Sequence, residues 1–218
     1  MENLRKGQLL LVSISVASIF ASFISYSILP SLIAIHFNFY GVPDYFVPKE
    51  FGLILFPLFI IALSLILSFS PMLDKKYKNN FKKFVDYYDY FVSIICAFFL
   101  IVYVEIIEFN LGKTTDLLFT VAIGLCLISF FAGQVLVKSK RNRFLGIHTK
   151  MTLSSEKNWI YSNQLLGKTL QIVGLIGLVI SILSSQTIYF IFTSIIFVIP
   201  IASLYSQYKL ARKIVITR

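Results

Sequence analysis

The 218-residue chain is 57% hydrophobic and only 14% charged, with a mean hydropathy of +0.82. That excludes an ordinary soluble domain. A formal net charge of +10 would by itself fit a nucleic-acid binder, but the placement of the charges argues against one.

About 20 helical residues cross a hydrocarbon core, and a spanning backbone must satisfy its own hydrogen bonds. Six apolar runs meet the length, at roughly 8–30, 51–71, 88–108, 116–137, 165–184 and 187–207. The predicted fold is therefore all-α: a polytopic membrane protein of six transmembrane helices. Of the 20 Lys and Arg, 18 fall on one side of this arrangement, and only Lys49 and Lys113 on the other. The positive-inside rule then places both termini in the cytoplasm of a plasma-membrane protein. The charge reads as a topology signal and an attraction to anionic lipid headgroups. Organisation is expected as residues 1–71, two helices with a long outer loop, and 72–218, four helices with a cytoplasmic loop motif over 138–164, forming one structural domain.

Arg5 and Lys6 precede the first run, which is too long for a signal-peptide core and reads as an uncleaved helix. Ser13, Ala17, Ala21 and Ser25 share one face of it, with Ser18 and Ser22 widening a strip that suits close helix packing. The outer loop, LPSLIAIHFNFYGVPDYFVPKEFG, carries turn chemistry at Gly41–Asp44 and reads as an interfacial or re-entrant segment. His36, Asn38 and Asp44 are its candidate contact residues. His36 has two readings, a bond to the loop's own carbonyls or a ligand or metal contact; a metal needs three or four converging ligands, and Asp44 and Glu50 are the only nearby carboxylates.

Span three carries Glu105 and Glu108 near its outer end, within reach of water but also able to face a polar cavity. Gln134 and Gln171, inside spans four and five, are expected to bond across helices. The span centres hold no charged residue, which weighs against an ion-driven transporter. Cys96 and Cys126 read as small buried apolar side chains. Gly167, Gly174 and Gly177 give span five a smooth side.

The cytoplasmic stretch KRNRFLGIHTKMTLSSEKNW, 140–159, is internally ordered. Gly146 suits a tight turn dipping toward the interface. Ser154 or Ser155 reads as an N-cap with Glu156 in the first turn. Trp159 and Tyr161 read as an interfacial aromatic belt. Arg141, Arg143, His148 and Lys150 beside the amides of 154–157 form a candidate phosphate or lipid-headgroup site, against the alternative of a positive-inside connector. No G-x-S-x-G, H-E-x-x-H, P-loop or Cys-His set is present, so no enzyme, cofactor or metal is expected.

The pattern Asn142-x-x-x-Gly146-Ile147-x-Thr149-x-x-Thr152-Leu153-Ser154, followed by Trp159, resembles the signature of the SdpI-like membrane proteins. Leu29-Pro30, Ile33, His36-Phe37-Asn38, Gly41 and Pro43-Asp44 resemble the module that commonly precedes it. The chain departs from the pattern at His148 (arginine expected), Met151 (tryptophan), Asn163 (histidine), Leu166 (glycine) and Ala34 (proline). Arginine to histidine exchanges a permanent bidentate donor for a group that titrates near neutrality. The retained Asn142, Gly146, Thr149, Thr152 and Trp159 read as a fold-defining turn and cap. The resemblance implies an immunity protein that protects a bacterium from a membrane-disrupting peptide toxin and relays the toxin's presence through a repressor held at the membrane. The alternative is a small transporter or flippase-like protein for an amphiphile, with Glu105, Glu108, Gln134 and Gln171 lining a path.

Overall fold

The computed structural model describes residues 5–38 and 40–183, with 201, 205, 208 and 209. The long helices are α1 (Lys6–Ser25), α2 (Lys49–Phe69), α4 (Val85–Asn110), α5 (Leu117–Lys138) and α7 (Glu156–Leu183). Short helices α3 (Lys78–Phe81) and α6 (Lys150–Ser154) lie in the connections. Five helices among the described residues are long and apolar enough to cross a membrane, and the expected sixth, 187–207, lies almost wholly outside them. The fifth begins at Glu156, a little over two turns earlier than hydropathy alone places it.

Not every element is helical. The outer loop folds as an antiparallel hairpin, β1 (Leu32–Phe37) with β2 (Pro43–Pro48). Asn38 makes the turn: its Oδ1 accepts from the Tyr40 and Val42 amides at 2.9 and 3.1 Å. Gly41 supplies the left-handed step at φ +74°. The prolines sit at the ends of β2, where a missing donor is tolerated. Ile33 and Val47 bury against Leu29, Leu53, Tyr103 and Ile107, so the hairpin plugs the end of the helix cluster.

Successive long helices run in opposite directions, which gives a hairpin end (the sheet and the α4–α5 turn) and a basic end (the α2–α4 and α5–α7 connections). α1, α2 and α4 pack together, α4 meets α5, and α5 packs most closely on α7. Gly133, Gly167 and Gly174 let the α5 and α7 backbones approach, since a Cβ at any of them would strike the facing backbone. The strip buried on α1 is Gly7, Leu11, Ser18 and Ser25; Ser13 and Ala17 are exposed, so the packing face is rotated from the expected one.

A proline inside α2 is accommodated by a neighbour. Pro57 has no N–H to give the Leu53 carbonyl four residues back. The Ser22 hydroxyl on α1 donates to that carbonyl at 2.8 Å, and the buried Tyr103 hydroxyl on α4 lies 2.6 Å from Ser22 Oγ. Three helices are joined at the one backbone group that the proline leaves open.

Candidate functional site

The loop between α5 and α7 is a folded structure rather than a loose connector. Asn142 is fully buried, and its Oδ1 accepts from the Phe144 and Leu145 amides at 3.0 and 2.8 Å. Its Nδ2 donates to the Lys140 carbonyl at 2.8 Å, completing an Asx-type turn. Gly146 follows at φ +111°, where a side chain is strained and would also meet Asn163 and the Trp159 ring. Thr149 and Thr152 form a reciprocal capping box on α6, and Thr152 Oγ1 also donates to the Ile147 carbonyl at 2.7 Å.

Trp159 is fully buried, not part of an interfacial belt, and its indole N–H donates to Ser139 Oγ at 3.3 Å. The direction follows from the Asn142 turn and Gly146, which bring the chain back over α7 and enclose the indole. Asn163, one turn further, accepts from the Ile147 amide at 2.8 Å and donates to the Trp159 carbonyl at 3.1 Å. It therefore ties loop to helix where the resembled pattern has histidine. Phe144 also turns inward, against Phe81, Phe84 and Tyr88. Ser155 caps α7 by accepting from the Asn158 amide, while Ser154 bonds back to Met151.

The expected anion-binding cations are not equivalent. Arg141 is committed internally: Nη1 donates to the Leu153 carbonyl at 3.1 Å and the guanidinium lies 5.1 Å from the Tyr77 ring centre. Arg143 and Lys150 are exposed. Asp74, the lone acid of the α2–α4 connection, is buried and accepts from the Tyr77 and Arg143 amides, pinning two connections together. His148 rests against Trp159 with ring centres 5.6 Å apart. The residue is exposed, yet the partial desolvation of its ring lowers its pKa below the usual imidazole value, and the Asp74 charge partly opposes this.

At the hairpin end, His36 Nδ1 lies 2.5 Å from Asp44 Oδ1 across the strands, both exposed. This cross-strand pair replaces the expected bond to the loop's own carbonyls. Lys49 Nζ donates to the Tyr26 and Leu29 carbonyls just beyond α1, complementing that helix end. Asn110 pairs with both backbone groups of Ala34. On the α4–α5 turn, Glu108 pairs with Lys113 at 2.7 Å. Glu105 Oε1 accepts the Asp116 amide at 3.0 Å. Gln134 and Gln171 have no side-chain hydrogen bond among the described residues; Gln171 packs instead beside Gly133.

Residues 138–206 match the model of the SdpI/YfhL protein family. Over that segment the chain is SdpI-like. Residues 14–61, which hold α1, the hairpin and part of α2, match a domain of unknown function (DUF1648). No curated protein and no solved structure matches the chain. The SdpI-like segment thus contains the whole Asn142–Asn163 network. Asp74, Asn110, Asn163 and Ser139 are the partners that motif reading missed or passed over. Only Asp74 carried a signal, as the single carboxylate in an otherwise basic connection.

Proposed function

We propose that the protein is a non-catalytic resistance protein of the plasma membrane, with both termini cytoplasmic, that protects the cell from a membrane-active peptide. The single observation that supports this best is the SdpI/YfhL match, which falls on a loop whose motif residues are spent on structure. In this reading the loop stabilises the bundle from the cytoplasmic side, and exposed Arg143 and Lys150 are left for anionic headgroups or a cytoplasmic repressor. The hairpin end, with His36 and Asp44 exposed and Asn38 holding the turn between them, faces the peptide.

The test is expression in a host sensitive to membrane-active peptides. Survival should rise over an empty vector, and replacing the hairpin turn should remove the gain while the protein still reaches the membrane. Unchanged survival across several such peptides overturns the proposal.

A further inference from the structure

Two cavities between α4 and α5 share lining residues and make one amphipathic groove. The first, about 460 Å³, opens at the hairpin end and is lined by Glu105, Glu108, Thr115, Asp116 and Thr120 among others. The second, about 420 Å³, runs down the helices past Phe98, Ile123, Gly124 and Phe131 and is apolar. Ile101 and Thr120 belong to both. A third cavity of about 160 Å³ shares Thr115 and Asp116 with the first and reaches Phe37 and Tyr40 at the hairpin turn. Beyond it, Tyr40, Tyr45 and Phe46 of the hairpin are exposed.

The carboxylates at the mouth differ in what they already bind. Asp116 accepts the Phe119 amide as the cap of α5, and Glu108 holds Lys113. Glu105 gives one oxygen to the Asp116 amide, and its Oε2 is buried with no hydrogen-bond partner among the described residues. A buried polar atom without a partner is costly, and one on a carboxylate calls for a donor. Among the described residues no cation at this end is free to serve it: Lys113 is taken by Glu108 and Lys49 by the carbonyls beyond α1. Among the described residues the hairpin end carries five carboxylates (Asp44, Glu50, Glu105, Glu108, Asp116) against those two lysines.

We infer that this groove binds a cationic amphipathic peptide, with an ammonium or guanidinium on Glu105 and apolar side chains between α4 and α5. Charge complementarity selects a cation at the mouth, and the apolar groove selects a ligand that is also hydrophobic. The exposed aromatic surface that continues onto the hairpin fits a ligand longer than a lipid headgroup. The inference rests on the resistance reading and names the chemistry of the peptide that this surface would meet.

The test uses the full chain in phosphatidylcholine nanodiscs, whose zwitterionic lipid does not itself attract cations. The probe is a fluorescent, benzophenone-bearing amphipathic helix of Leu and Lys, with a Leu and Glu counterpart as control. Saturable binding of the Lys peptide above its partition into empty discs is expected, with photo-cross-links between residues 97 and 124. Glu105→Gln keeps an oxygen for the Asp116 amide but removes the charge, and should weaken binding about tenfold. Ile101→Trp should block the groove with thermal stability unchanged. Equal binding of the Glu peptide, or no effect of Glu105→Gln, overturns the inference. So does displacement of the probe by phosphatidylethanolamine, which makes the site a lipid site. Disulfide cross-linking between cysteines at Ile101 and within 187–207 would also overturn it, because that apolar run of the chain itself would then fill the groove. Binding without protection in the sensitive host overturns the resistance reading alone; protection without binding overturns this inference alone.

Discussion

Asn110, the last residue of α4, offers its side-chain amide to both backbone groups of Ala34, accepting the N–H at 2.8 Å and donating to the carbonyl at 2.9 Å. The amide acts as a one-residue neighbouring strand and closes the free edge of β1. It also gives Ala34 a specific role. Proline, expected at this position from the resembled pattern, has no N–H to give, so the clamp at full strength requires the departure seen here. Asn110→Ala should cost about 1–3 kcal/mol, the range for stranding buried backbone groups. Amide exchange at Ala34 should rise more than at Leu53. Ala34→Pro should cost less, because the Asn110 bond to the carbonyl survives, and an equal loss would show that the N–H half carries the clamp.

The Ser22 hydroxyl satisfies the Leu53 carbonyl that Pro57 cannot reach. Ser22→Ala should therefore destabilise the protein by about 0.6–2 kcal/mol, the range for polar contacts between membrane helices. Adding Pro57→Ala restores an N–H four residues from Leu53, so the second change should recover part of the loss. Thermal unfolding of the single and double variants in detergent measures the coupling. Strict additivity would mean that the serine acts by packing alone.

At the basic end, Gly146→Ala combines backbone strain at φ +111° with a collision against Asn163 and Trp159. A loss of about 2 kcal/mol or more is expected. Asn163→Ala removes the collision partner but leaves the Ile147 amide unpaired, so it should not rescue Gly146→Ala. Fluorescence of Trp159, the chain's one tryptophan, should shift to the red in both variants as the indole gains water.

The helices were legible because their signal is long-range in composition and local in geometry: an apolar run of sufficient length has few other forms. The hairpin was not, since its strands are short and half-apolar, and what fixes them is Asn110, about 75 residues away in sequence. The Asn142–Thr152 turn and cap were readable through the resembled pattern, whose residues are local to one another: each bond spans five residues or fewer. Trp159 was misplaced because an aromatic at a helix start has the same local sequence whether it faces headgroups or a covering loop. Asp74 was missed for the opposite reason: its charge was visible, but its partner amide at Arg143 lies 69 residues on. The Glu105 carboxylate was singled out as an acid within a span, while its orphaned oxygen depends on where α5 begins.

His148 provides the pH-dependent prediction. Partial desolvation of its ring depresses its folded-state pKa below the unfolded value of about 6.5, with Asp74 pulling the other way. A base whose folded pKa is depressed binds more protons when unfolded, so stability rises with pH through that window. The contribution of neutral His148 is fully present above about pH 6.5, declines as pH falls below it, and levels off below the folded pKa. NMR titration of His148 should give a pKa under 6.5, lowered further by Asp74→Asn, which removes the opposing charge. Trp159 emission should fall over the same range, as a protonated imidazole beside an indole quenches it. His148→Arg fixes the charge, so the acid-side slope should vanish while Asp74 gains a permanent cation nearby. A slope unchanged in His148→Arg would assign the pH dependence to another group.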